Sequence, residues 1–308
     1  MPLLSGPVTR DHYADLLIRG IDKIFFDEWP INFGEFRDLY NMDTPADKAV
    51  MNHVMMSGFG LWQPKAEGAP PAFDSVQEAY KVSLTVTTTE LGFAITREAQ
   101  QDNLYEKPMA MTKNLADSGS YTMDVDAMAP FNNMTTATVY TLDGTNFPLL
   151  STAHGRVDQG TWPNRPTSPM DLSLDAVEFA VAHWIQNMVD HRGRKRTGVM
   201  PKVLWHGVSD WSNARRITSS GGRPFSNNNE PNVLMQDFEL VPKRLTHLTD
   251  DGRWGLKAET KYTGFYWHTR LEREIRKETE QITGNLVVQG CYREAHGVTH
   301  PHGFWGSP

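Results

Sequence analysis

The chain has 308 residues, 39% of them hydrophobic and 10% aromatic, with a formal net charge of −7. That length exceeds what one core usually serves, so two domains are expected, and the acidic balance argues against a nucleic-acid binder held by a basic surface. A single cysteine, Cys291, excludes an internal disulfide, and no apolar run approaches membrane-spanning length.

The first residues, 1–13, lack a basic start and a sustained apolar stretch, so no signal peptide is expected and synthesis in a reducing cytoplasm is the default. Residues 9–28 predict one amphipathic helix, with Tyr13, Leu17, Ile21, Ile24 and Phe25 on one stripe and Thr9 or Asp11 as cap. The stretch through Trp29, Phe33, Phe36 and Tyr40 is greasy but has no period. It either packs on its own domain or forms an arm across a neighbouring subunit.

Residues 58–107 organise the rest. Tyr80 to Ile95 alternates apolar and polar positions, which is strand chemistry. Val82, Leu84 and Val86 set one parity and Leu91, Phe93 and Ile95 the other, which predicts a bulge or bend between them. Phe59 to Lys65 is expected to supply the partner strand, and Ala66 to Pro71 the turn. Thr85, Thr87, Thr88 and Thr89 stand where a core strand would carry Val or Ile. An isolated two-stranded hairpin is marginal in water, so this one reads as an arm held by something outside its own domain.

Residues 95–130 predict a long helix broken or kinked at Pro108, with Met111, Leu115, Ser118, Thr122, Val125 and Ala129 at helical spacing. Its small residues would let another element approach closely. Ala137 to Thr141 reads as a strand, followed by an Asp143-Gly144 turn and a proline-rich ordered loop to residue 172. From Ser173 the texture is alternating. Ser173 caps a helix to about Asp190, with Leu174, Val177, Val181, Trp184 and Met188 inward. Val199 to His206 is a buried strand, Ser209 or Asp210 starts a short helix to about Ser219, and Phe238 to Leu245 is a strand that Trp254 to Lys257 can pair with. This block reads as a compact α+β domain. Asn285 to Tyr292 is a further strand.

Four groups could carry chemistry. His296, His300 and His302, with Glu294 nearby, resemble a metal cluster, but their spacing fits no zinc pattern, and a polar surface near an interface is the competing reading. His154 lies in a Ser-Thr-Ala-His-Gly loop beside Ser151 with no orienting acid, and Gly207 to Trp211 lacks the second glycine of a nucleophile elbow, so His154 is expected to bond loop backbone. The basic run His191 to Arg196 could touch phosphate; a solvated loop, or contact with acidic residues of a neighbour, is favoured. Cys291 reads as core. No catalytic, cofactor or metal residue is assigned.

The chain resembles the major capsid proteins of tailed bacteriophages, and within them the Mu-like prophage major head subunit group. The resemblance rests on Gly58 to Gly68 leading to Leu91–Glu98 and Asp102–Tyr105, on Leu149 to Gly155, on the Lys202–Trp205 strand with its helix, and on the terminal Gly303 to Pro308. It implies the tailed-phage major capsid fold: residues 1–45 the N-terminal arm, 46–94 the extended loop and its base, 95–130 the peripheral domain with its spine helix, 131–250 the axial domain, and 251–308 the return to the peripheral domain. It also implies a non-enzymatic subunit, without cofactor, that self-assembles as hexamers and pentamers into an icosahedral shell around double-stranded DNA. Portal, decoration and a separate scaffolding protein would be its partners, and the virion capsid its location. Lys65 and Lys81 lie in the loop, but nothing singles out either for a cross-link. Alternatives are a same-fold cellular nanocompartment (encapsulin-like) and a soluble metal-dependent enzyme using the histidine-rich C-terminus.

Overall fold

The computed structural model describes residues 20–27, 29, 34–42, 45–102, 106–223 and 230–308; Thr9, Asp11, Tyr13, Leu17 and Phe33 lie outside them. The chain divides into two compact units, each gathered from three stretches. The first is Met1–Gly34, Val86–Asp126 and Thr269–Glu294; the second is Glu35–Thr85, Ala127–His268 and Ala295–Pro308.

Residues 20–27 are helical (α1). Then follow β1 (Val50–Met56), β2 (Glu78–Thr85), β3 (Thr87–Ile95), α2 (Arg97–Gln101), α3 (Glu106–Ala127), α4 (Ala129–Asn132), β4 (Tyr140–Leu142), β5 (Thr145–Phe147), β6 (His154–Gly155), β7 (Thr161–Trp162) and α5 (Leu174–Asn187). The order continues with β8 (Pro201–His206), α6 (Trp211–Ser219), α7 (Val233–Asp237), β9 (Val241–Arg244), β10 (Trp254–Ala258), β11 (Phe265–Thr279), β12 (Leu286–Val298) and β13 (Phe304–Ser307). This is an α+β chain with segregated, mostly antiparallel sheets.

The change of parity at Val86 has a topological cause. β2 pairs with β1, whereas β3 pairs with β12 from Leu286↔Ile95 to Glu294↔Thr87, so the chain leaves one sheet for another at that residue. The partner of β2 is Val50–Met56, not the expected Phe59–Lys65, which forms no strand. Both faces of β1 are apolar: Val50, Val54 and Met56 are exposed while Met51 and Met55 are half-buried, so alternation is invisible there. The 59–65 stretch carries Gly60 and Pro64, which weaken a ladder.

In the first unit the sheet order is β11-β12-β3. Ile21, Ile95, Leu286 and Val288 form a core cluster. The helix break falls earlier than Pro108: α2 ends at Gln101, α3 begins at Glu106, and Pro108 sits in the first turn, where its missing N–H costs nothing. Thr96 caps α2, its hydroxyl accepting from Ala99 N. The buried face of α3 is Thr112, Leu115, Ala116, Ser120 and Met123; Met111 and Val125, expected inward, are exposed. The face is rotated because Trp29 packs on Gly119, where a β-carbon would stand 2.0 Å from the indole, and Ser120 Oγ donates to Trp29 O (3.3 Å).

In the second unit one sheet runs β13-β10-β8-β9 and another β1-β2-β4-β5. Ser173 caps α5, accepting from Ala176 N, and Leu174, Val177, Val181, Trp184 and Met188 are all buried. They pack with Trp162, Leu204, Trp254, Leu256 and Trp305. β8 lies between β10 and β9, so Trp254–Ala258 does not pair with β9 as expected. β8 and β9 are parallel, and α6 and α7 supply the crossover a parallel pair requires. The predicted strand at 137–141 is the shorter β4, joined to β5 by Asp143 (φ 47°) and Gly144 (φ 79°), the two positive-φ residues of a tight hairpin.

Two segments stay with the second unit. Phe36 stacks on Trp267 (centroids 4.4 Å) and the Tyr40 hydroxyl donates to Ala127 O (2.7 Å), so the aromatic stretch from Glu35 packs on its own domain. Of the segment 251–308, read as returning to the long helix, only Thr269–Glu294 joins the unit of α3. β10 and the fully buried β13 are sheet strands of the second unit.

Candidate functional site

Residues 57–77 connect β1 to β2 as an irregular loop. Its ends are tied, Ser57 N donating to Gln77 O (2.9 Å) and Gln77 N to Ser57 Oγ (3.0 Å). A turn at Ala66–Ala69 uses Gly68 at φ 78°. Between base and turn, Phe59, Leu61, Trp62 and Phe73 are exposed, Trp62 by 98% and Phe73 by 92%. Four large apolar side chains in water on one loop are the signature of a contact surface.

The basic run grips this loop from within the same chain. Asp74 Oδ2 accepts from Gly60 N (2.6 Å) and lies 2.9 Å from Arg192 Nη1. Arg192 Nη2 also donates to Ser75 O (2.6 Å), and Arg194 Nη1 to Gly60 O (3.5 Å). Asp190 orients both arginines: Oδ1 accepts from the backbone N–H of Arg192 and of Arg194 (2.9 Å each), and Oδ2 meets Arg194 Nε and Nη2 (2.8 Å each). Gly193 turns the segment at φ 76°, where a β-carbon would also strike Arg156. The Gly60 N–H, with help from Ser75 N–H and the Arg192 guanidinium, holds the Asp74 carboxyl below its ordinary range. Burial pushes Asp190 upward, but the N–H groups of Arg194 and Arg192 and the Arg194 side chain outweigh it, so its carboxyl is also lowered. The acidic partners are therefore Asp74 and Asp190 of this chain.

Behind the clasp lies a buried aromatic and imidazole cluster. His154 Nδ1 is 2.6 Å from the Tyr140 hydroxyl and Nε2 is 2.8 Å from Asn164 Oδ1. The Asn164 amide nitrogen donates to Leu149 O (2.8 Å) and Phe304 O (3.2 Å), which leaves Oδ1 as the acceptor. His154 is therefore the Nε2–H tautomer, and Tyr140 donates to Nδ1. Two side-chain partners hold the ring, together with the expected backbone bond, made to Leu149. Burial lowers the His154 pKa to about 4. Ser151 Oγ accepts from Ala153 N, and Ser209 Oγ donates to Asp251 O, so neither hydroxyl is arranged as a nucleophile beside a histidine.

Of the C-terminal histidines, His300 and His302 stay together (centroids 5.6 Å), His302 also stacking on Trp162 (4.9 Å), whereas His296 stacks on Trp267 (4.4 Å) and Glu294 belongs to the first unit. Among the described residues no group of three or more His, Cys, Asp or Glu could hold a metal ion. Cys291 is buried in β12. Lys65 is exposed and Lys81 pairs with Glu78. Among the described residues no helix is long and apolar enough to cross a membrane. Asp74 and Asn164 escape sequence reasoning: Asp74 lies 118 positions from Arg192, and Asn164 sits in a proline-rich loop with no periodicity.

The family model described as phage capsid protein matches residues 79–299, well over half the chain. Solved structures match in fold. The capsid of the native GTA particle aligns with a TM-score of 0.55 at 10% identity, covering 88% of each chain. The virus-like particle from Pyrococcus furiosus aligns at 0.54 and 8% identity, over 93% of this chain and 96% of that one. The capsid of cyanophage P-SCSP1u aligns at 0.53 and 10%, over 88% and 86%. No curated protein matches the chain.

Proposed function

Since the chain belongs to the phage capsid protein family, we propose that it is the major head subunit, assembling as hexamers and pentamers into an icosahedral shell around double-stranded phage DNA. The observation that carries this reading is the loop 57–77: exposed aromatics on a slender projection whose base is clasped shut. Such a projection presents Phe59, Leu61, Trp62 and Phe73 to a neighbouring copy. Head-to-tail contacts of this kind close into rings, and each can be modest because a subunit held at many points is retained by avidity.

On this reading the first unit is the peripheral domain with α3 as its spine, and the 127–268 part of the second is the axial domain. The subunit's role is structural rather than catalytic. It is made in the host cytoplasm, and portal, scaffolding and decoration proteins are its partners. The family match favours this over a cellular nanocompartment.

Gly60 and Asp74 are hydrogen-bonded, so a short Gly-Ser linker can replace residues 61–73 without disturbing β1 or β2. The trimmed chain is expected to fold, by circular dichroism, and to give no stable particles by electron microscopy. Normal particles from it would overturn the reading. Nucleic acid inside wild-type particles is expected; protein cargo in its place would transfer the chain to the nanocompartment class.

A further inference from the structure

The segment Asp190–Arg196 has two sides. Outward, Asp190, Arg192 and Arg194 form the clasp on Gly60, Asp74 and Ser75. Inward, His191 is 4% exposed and meets Tyr80 of β2 edge-on (centroids 4.4 Å) and His302 edge-on (5.1 Å). His300 stands 5.6 Å from His302. Among the described residues, neither ring nitrogen of His191 nor of His302 has a hydrogen-bond partner. Buried polar atoms are ordinarily paired, so two imidazoles left bare in one cluster are a departure that asks for a reason.

The surroundings are hostile to a proton. From their own segment, Asp190 and Arg196 face the imidazoles, Asp190 favouring and Arg196 opposing their charged form. Arg156 lies against Gly193, His154 adds a further imidazole behind Trp162, and Tyr80 and Trp162 close the walls. An imidazolium here would be a buried charge with one carboxylate to serve three rings, at a cost of several kcal/mol.

We propose that His191, His300 and His302 form a proton-operated latch: on acidification His191 leaves its place beside Tyr80, the clasp carried by its neighbours opens, and the loop 57–77 is released. Burial supports this by holding His191 to about 4, His300 to about 3 and His302 well below the ordinary value. Once expelled, an imidazole regains its ordinary affinity for a proton. At pH 5 that favours the open form by about 30-fold for His191 alone. The clasp carboxylates are themselves lowered, so they remain charged while the histidines take up protons.

The test is hydrogen exchange on the unassembled full-length chain between pH 7.5 and 4.5, corrected for intrinsic rates, so its failure leaves the shell proposal standing. The reporters are the clasp amides of Gly60, Arg192 and Arg194, with α5 as the internal reference. In the wild type the clasp amides are expected to exchange at least about tenfold faster at pH 5 than at pH 7.5 while staying less protected than α5 at both pH values. His191→Gln should abolish the acceleration. His302→Phe, which keeps the stack on Trp162, should move it about one pH unit lower. Circular dichroism checks that each variant folds, and either variant alone decides. Asp74→Asn should open the clasp already at pH 7.5. The latch is overturned if the clasp amides are as protected as those of α5 at pH 5, if the folded variants respond as the wild type does, or if Asp74→Asn leaves the clasp amides protected.

Discussion

The indole of Trp29 occupies the space that a β-carbon on residue 119 would need, 2.0 Å from Cη2. Gly119→Ala brings two opposed effects. Helix propensity gains about 1 kcal/mol, and overpacking against the ring costs about 1–3 kcal/mol. The variant should therefore be less stable, by about 1 kcal/mol in urea denaturation. In a Trp29→Ala background the clash disappears, and the same substitution should become stabilising. Additive effects of the two changes would show that Trp29 does not sit on Gly119 in solution.

Tyr140→Phe removes the hydroxyl that donates to His154 Nδ1 and leaves a buried acceptor bare. The expected cost is about 1–3 kcal/mol. Asn164→Leu should cost more, because that amide also serves Leu149 O, Phe304 O and Ser151 N. Equal midpoints for the two variants in urea would contradict the network.

Acid should weaken the fold well above the carboxylate range. Burial holds His154 and His191 near 4 and His300 near 3, while the unfolded chain protonates near 6.5. Between those values the unfolded state binds more protons, so stability is complete above pH 6.5 and falls as pH drops toward 4. At pH 5 each such histidine removes about 2 kcal/mol. Urea midpoints measured from pH 7.5 to 5 should fall steadily, and His154→Phe should flatten the slope; a level profile would refute the argument.

Lys257 is 0% exposed on β10, and burial depresses its pKa to about 8 although Asp38 opposes the shift. Unfolded lysine protonates near 10.4. Between about 8 and 10.4 the unfolded chain again binds more protons, so stability should rise with pH over that window, by up to about 3 kcal/mol. Lys257→Met should be more stable than wild type at pH 7 and should lose the rise, both read from guanidinium titrations.

Periodicity found the elements whose burial is one-sided. The inward face of α5, its Ser173 cap and the Asp143-Gly144 turn follow from local rules, because each is decided within a few residues of itself. The parity change at Val86 was also visible, as an irregularity between two alternating runs. What it meant was not, since the assignment of β2 and β3 to different sheets depends on β1 and β12, far away in sequence. β1 escaped because its two faces are alike in polarity. The clasp escaped for a related reason: arginines 192 and 194 advertise charge, but nothing in their neighbourhood says that their counter-ion is Asp74. The resemblance to tailed-phage capsids supplied the overall architecture, and its Leu149–Gly155 stretch contains His154, yet none of its motifs includes His191, His300 or His302.

Neither unit is a continuous piece of chain, and this governs when the protein can fold. β3 must wait for residues 286–294 of β12 before it has a ladder, and β10 waits for Phe304–Ser307. On a ribosome both cores therefore stay open until residues 286–307 have been made. Until then the strands of the β1-β2-β4-β5 sheet are all present while β3 and one edge of β10 lack partners, and it is there that chaperones have their opportunity.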